Sequence, residues 1–204
     1  MKKKLGRIPY VYPIPIVLVG ANVNGRPNYA EIGDCAVMAV QAALVTVSLH
    51  EDHYTTKGIV ENGTYSVNVP STRLLSLADY CGLVSGHRVD KSRLFETFYG
   101  ELGTAPMAAE CPVNLECRVV GTLAVGKRHL FVGEVVEAHV DEEWVSEEGG
   151  RRAIADLTRL DPILYALDNR YYSVGKPIGV GYAEGEGLGR EGRQGQTGER
   201  AARP

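Results

Sequence analysis

Apolar and polar positions alternate with a period of two from Leu44 to Leu49 and again from Thr64 to Val69, the mark of half-buried strands. Between them lies His50-Glu51-Asp52-His53-Tyr54, a polar loop leading into Thr55-Thr56. Lys57 to Glu61 fits one helical turn or a little more, and Asn62-Gly63 stops it. Upstream, Ile16 to Ala21 is a continuous apolar strand, kept non-helical at its start by Pro9, Pro13 and Pro15. Asn24-Gly25 predicts a tight hairpin because both residues tolerate positive φ. The return strand is Pro27 to Ile32; Gly33-Asp34 breaks it, and Cys35 to Ala43 is small and apolar.

Downstream, Ser71-Thr72 opens a helix with Leu74, Leu77, Ala78 and Cys81 on one stripe, ended by Gly82. Ser85 to Lys91 reads as a polar loop, and Leu94, Phe95 and Phe98 as a second short amphipathic helix. Val113 to Val125 and Leu130 to Val140 are long strand-like runs joined by Gly126-Lys127-Arg128-His129. An acidic surface loop is expected from Asp141 to Gly150 around Trp144, then a helical turn on Ile154, Leu157 and Leu160 ending near Asp161-Pro162. Tyr171 to Val174 is a last short strand. Glu184 to Pro204 has almost nothing to bury and is expected to be disordered, leaving residues 1–183 as the domain. Many short strands with a few helices predict a mainly β protein, an antiparallel β-barrel closed or nearly so.

A chain of 204 residues makes one domain with ample core. The formal net charge of −3 argues against a nucleic-acid partner, which needs a clustered basic face. Cys35, Cys81, Cys111 and Cys117 lack a C-x-x-C pair or zinc-knuckle spacing, and read as reduced thiols of a cytoplasmic protein. The opening residues could pass for a secretory leader, but the apolar run is only Ile14 to Val19, is interrupted by Pro, and no A-x-A site follows. No run is long enough for a membrane helix.

The chemistry concentrates at Thr55-Thr56. Two hydroxyls beside the unpaired N–H groups of a helix start suit a phosphate or other small anion. The structural alternative is that one threonine is an N-cap, a contribution of roughly 1 kcal/mol. His50, His53 and His87 could in principle gather at a metal, though their spacing does not compel it.

Several landmarks occur in order: Pro15-Ile16-Val17-Leu18-Val19, Asn28-Tyr29-Ala30, Val47-Ser48-Leu49 with Tyr54-Thr55-Thr56 and Ile59, and Gly63 to Asn68. Ser85-Gly86-x-x-x-Asp90-Lys91, Gly133-Glu134-Val135 and Tyr171-Tyr172-x-x-Gly175-Lys176 follow. In this the chain resembles the flavin reductase–like family of FMN-binding split β-barrels, which includes flavoredoxins and archaeal ferric reductases. The resemblance runs from about Pro9 to Val180. It departs in having Gly33-Asp34-Cys35 where many relatives carry an aromatic, and Gln41-Ala42-Ala43 where a Pro pair is common.

The resemblance implies FMN as cofactor. Asn28 and the backbone near Ala30 would meet the ring or ribityl chain, Thr55 and Thr56 the phosphate, and Lys91 the flavin, with Ser85 and Gly86 shaping its turn. Ser48 and Tyr54 stand in the same landmarks and complete the cofactor-binding set. Small side chains at Cys35, Ala36 and Val37 would let a flat ring approach. His129 would sit near the pyrimidine end of the ring and offset negative charge there, the expected catalytic role. The activity so implied is hydride transfer from NAD(P)H to FMN in a homodimer, with free flavin, a ferric chelate or a redox protein as acceptor. A flavoredoxin-like carrier that does not itself oxidise NAD(P)H is the alternative; a barrel for another phosphorylated ligand is a third. No G-x-G-x-x-G precedes a helix, so a nicotinamide would dock on the flavin face.

Overall fold

In the computed structural model, residues 1–148, 151–154 and 156–185 are described. The strands are β1 (Ile14–Pro15), β2 (Val17–Val23), β3 (Arg26–Ile32), β4 (Cys35–Ala39), β5 (Leu44–His50), β6 (Thr64–Val69), β7 (Thr97–Phe98), β8 (Met107–Ala108), β9 (Val113–Val125), β10 (Arg128–Val140), β11 (Val145–Glu148), β12 (Arg151–Ile154), β13 (Leu164–Ala166) and β14 (Arg170–Tyr172). The helices are α1 (Tyr54–Asn62), α2 (Leu75–Leu83) and α3 (Leu157–Leu160).

Seven strands form one antiparallel sheet in the order β3-β2-β6-β9-β10-β5-β4. Its edges, β3 and β4, are consecutive in the chain and meet at Gly33-Asp34, so the sheet curls into a barrel. Alternation decides what goes inside. Val17, Val19 and Ala21 of β2, Val45, Val47 and Leu49 of β5, Tyr65 and Val67 of β6, and Phe131 of β10 fill the interior, with Ile59 of α1 capping it. Leu18 and Tyr29 point the other way, into a second cluster with Ala78 and Cys81 of α2, Phe95 and Ile163. One period-two sequence therefore supplies two cores, and α2 is held against the outside of β3.

The turn signals act where they were read. Asn24 and Gly25 take φ of 50° and 75°, and Gly63 ends α1 at φ 65°. Gly20 lets β2 pass beneath Pro106: a Cβ there would overlap the Pro106 carbonyl oxygen and the Ser66 hydroxyl.

Four readings need correction. Leu94 to Phe98 is not a helix: the stretch turns and enters β7, because Phe95 is drawn edge-on to Tyr29 (5.0 Å between rings) and Phe98 to His139 (5.5 Å), on different sides. The β9–β10 turn is Gly126-Lys127 alone, with Arg128 and His129 already paired to Val125 and Ala124. Gly82 does not end α2 but lies within it, and the helix continues to Leu83. The acidic loop around Trp144 leads into a β11–β12 hairpin, whose β12 takes up Ile154.

The chain divides into Met1–Val174 and Gly175–Pro204. In the second unit, among the described residues 175–185, a turn is closed by the Ala183 N–H on the Val180 carbonyl (3.2 Å). The tail expected to be disordered lies, from residue 186 on, outside the described residues.

Candidate functional site

β4 covers β5 only as far as Val47, where the Asp34 carbonyl takes the Ser48 N–H (2.9 Å). Beyond that point the barrel wall is split. The free edge of β3 faces the start of α1 across the gap, and the loop 84–91 closes over it. The resulting cleft, of about 180 Å³, is lined by Asn28, Ala30, Glu31, His53, Tyr54, Thr55, Cys81, Ser85, Gly86 and Lys91.

α1 begins at Tyr54 with His53 as N-cap, and no side chain caps it. This corrects the N-cap alternative: Thr55 and Thr56 both lie inside the first turn. Thr55 Oγ1 accepts from Asn28 Nδ2 (2.8 Å) in a buried contact, and Thr56 Oγ1 donates to the His50 carbonyl (2.8 Å). The first turn carries no acidic side chain, so the positive end of the helix is unopposed there.

Lys91 is no solvated loop charge. It is 2% exposed, and its ammonium donates to the carbonyls of Tyr29 (2.9 Å) and Cys81 (2.7 Å), tying the edge of β3 to the end of α2. Burial lowers its pKa below the ordinary lysine range. An ammonium has three donors, so one remains for a ligand. Gly86 lets the loop press on the site: a Cβ would overlap Asn28 Oδ1 and lie 2.5 Å from the Tyr54 ring. Ser85 anchors the same turn, its carbonyl accepting from Arg88 and Val89 (2.9 and 3.0 Å).

A second groove, of about 690 Å³, lies on the outer face of β4, β5 and β10. Pro13, Ile14, Gly33, Cys35, Ala36, Ser48 and Leu130 line it, with Arg128, which is paired to Asp34 and donates from Nε to Ser48 Oγ (3.1 Å). In the Cys35-Ala36-Val37 run, Cys35 and Ala36 border this groove and Val37 does not. The Cys35 thiol packs against the barrel interior, where burial pushes it up to about 11; Val37 is exposed and lines neither cavity.

His129 pairs with Leu49, stacks on Phe131 (5.8 Å) and lies on the opposite face of β10 from Arg128 and Leu130, outside both cavities.

Sequence reasoning missed four groups. His53 was read as a loop histidine, yet it lines the cleft; burial, then the positive charge of His50, Arg128 and Lys91, lowers its pKa. Its place two residues before Thr55, at the cap position, was the available signal. Glu31 follows Ala30 in the strand already singled out. Cys81 and Arg128 come to their cavities only through tertiary packing. His50 and His53 have rings 6.1 Å apart, while His87 packs on Tyr54 (4.8 Å).

The flavin reductase like domain family matches residues 9–175. Flavoredoxin from Methanosarcina acetivorans superposes with a TM-score of 0.86 at 42% identity, covering 92% of this chain and 99% of that one. Flavoredoxin of Desulfovibrio vulgaris (Miyazaki F) gives 0.83 at 30% identity, over 91% and 100%. An uncharacterized protein of Archaeoglobus fulgidus is 30% identical over 131 residues, 63% of this chain and 73% of its own. With a family match across most of its length and a barrel shared with two flavoredoxins, the chain belongs to the flavin reductase–like family.

Proposed function

We propose that the protein binds FMN across the two cavities and uses it to move electrons from NAD(P)H to free flavin, a ferric chelate or a redox partner. The observation that carries this reading is the cleft itself: the start of α1 without an acidic side chain, beside the spare donor of a buried Lys91. Its volume of about 180 Å³ falls below the roughly 300–1,000 Å³ of a pocket that buries a drug-sized ligand. It therefore suits the phosphate and polyol end alone, and the larger, more apolar groove suits a flat ring.

The donor set fits the cofactor. Thr55 and Lys91 would hold the phosphate, and Asn28 and the backbone at Ala30 the ribityl chain. Thr56, whose N–H and hydroxyl go to the His53 and His50 carbonyls (3.0 and 2.8 Å), steadies the start of α1 instead. Ala36, Ser48 and Leu130 would seat the ring, with Tyr54, Ser85 and Gly86 keeping water from the polyol. Bound FMN supplies the redox chemistry, accepting hydride and passing electrons on. The chain's own residues orient it and neutralise its charge.

A homodimer is part of the proposal. Val37, Met38 and Val40 at the β4 edge and Leu123 and Val125 on β9 are all more than half exposed, an apolar surface that a second subunit would cover. Among the described residues no helix is long and apolar enough to cross a membrane.

The similarity to two flavoredoxins favours a second reading, an FMN electron carrier that receives electrons from another protein. Anaerobic mixing with NADH and NADPH decides between them. Bleaching of the yellow band supports the oxidoreductase, and lasting colour the carrier. Unchanged FMN affinity in the Thr55→Ala/Lys91→Ala double variant overturns the phosphate assignment, and a colourless chain that takes up no FMN overturns both readings.

A further inference from the structure

Among the described residues the one carboxyl group lining the cleft belongs to Glu31, and it is not alone. Glu31 Oε1 lies 3.0 Å from the hydroxyl of Tyr171 (β14), and Oδ1 of Asp79 (α2) lies 2.7 Å from the same oxygen. A tyrosine hydroxyl has one hydrogen to donate. It cannot satisfy two ionised carboxylates at once; both contacts become hydrogen bonds only when one carboxyl carries a proton and donates it to the phenol oxygen.

The surroundings of Glu31 favour its protonated form. Gly82 brings the α2 backbone flush against Glu31, where a Cβ would overlap the carboxyl oxygen, so the side chain is confined on that side. Burial raises the Glu31 pKa above the usual carboxylate range; the hydrogen bond from Tyr171 works against this, and the negative charge of Asp79 adds to it. The other titratable neighbours are few. Cys81, also on α2, is neutral, its thiol pushed up to about 11 by burial; Tyr165 of β13 packs on Tyr171. Across the cleft stand Lys91 of the loop and His53 and Tyr54 at the start of α1.

We propose that Glu31 and Asp79 share one proton through the Tyr171 hydroxyl, and that entry of a phosphate-bearing ligand beside Lys91 is coupled to keeping that proton in place. Glu31 is then the residue that sets how the cleft's affinity depends on pH. This rests on the FMN reading above for the identity of the ligand but not for the proton itself. The sign follows from charge: the singly protonated pair leaves one negative charge near the ligand, and the fully ionised pair leaves two. Affinity for an anion falls as pH rises through the titration of the pair.

Two measurements on the full chain test this separately. Without ligand, carbon-13 NMR of carboxyl-labelled protein should show Glu31 and Asp79 titrating as a coupled pair. The upper midpoint should lie above the ordinary 4.3 of a glutamate, and Asp79→Asn should bring Glu31 down. Independent titrations at ordinary values overturn the shared proton. With ligand, the FMN dissociation constant, read from flavin fluorescence, should weaken up to about tenfold per pH unit above that midpoint, and Glu31→Gln should flatten the slope. The phosphate's own titration is common to both proteins and cancels in the comparison. The same slope in wild type and Glu31→Gln overturns the coupling. If the pair titrates as stated but FMN fails to bind at any pH, the coupling to this ligand and the FMN reading both fall, and the shared proton stands.

Discussion

Replacing Lys91 by Met keeps the length and apolar stem of the side chain and removes only its ammonium. In the folded protein that group gives hydrogen bonds to two backbone carbonyls, Tyr29 O and Cys81 O, in a position 2% exposed. A buried acceptor that loses its partner costs about 1–3 kcal/mol, so the two together cost about 2–6. Relief from no longer burying a charge works in the opposite direction. Water entering from the cleft would re-satisfy part of what is lost, so we expect a net loss of about 2–4 kcal/mol. Urea unfolding of the full chain without ligand reads this as a lower midpoint at unchanged slope. FMN affinity, measured at temperatures where the variant remains folded, should fall at least about tenfold through loss of the third donor. A stability loss under about 1 kcal/mol would show that Lys91 does not brace β3 to α2, and the account of the cleft's wall would have to be abandoned.

Three further outcomes follow from other parts of the fold. Gly20→Ala should destabilise by about 2–3 kcal/mol in urea unfolding, since its Cβ would meet the Pro106 carbonyl and Ser66 hydroxyl with no flexible end to yield. Glu116 is fully buried; burial raises its pKa, but the N–H groups of Leu102 and Glu101 (2.9 and 3.1 Å) and His139 Nε2 (3.0 Å) more than offset this, and the net shift is downward. A carboxyl with a lowered folded pKa adds stability above its unfolded value, near 4.3, that is lost as pH falls through the folded value. Unfolding midpoints should therefore drop in that acid range, and Glu116→Gln should remove this part of the dependence. Asn28→Ala should weaken FMN binding about tenfold in a fluorescence titration while lowering stability by only about 1 kcal/mol, the worth of its bond to Thr55.

Strands were legible because burial on one face of a sheet writes itself into every second residue: Thr64 to Val69 coincides with β6, and Leu44 to Leu49 with all but the last residue of β5. The hairpin at Asn24-Gly25 was equally plain, since few residues adopt its backbone. Phe95 and Phe98 misled because helical spacing cannot distinguish one apolar face from two side chains drawn to separate partners. At the site, Asn28, Thr55 and Lys91 came from motif order, and the fold brings them to one cleft. Glu31, Cys81 and Arg128 were not legible. Each acquires its place from a partner outside its own element, Tyr171 for Glu31, Lys91 for Cys81 and Asp34 for Arg128.

Tyr65 lies wholly inside the barrel with its hydroxyl on the Val45 carbonyl (3.3 Å), and Gly133 is flush against its ring. The bore is thus plugged by the protein's own aromatic, and no guest can lodge along the axis as it would in a hollow eight-stranded calyx. Any change in what the molecule accepts must come from the rim, where the connecting segments can vary in length and composition without disturbing the plug.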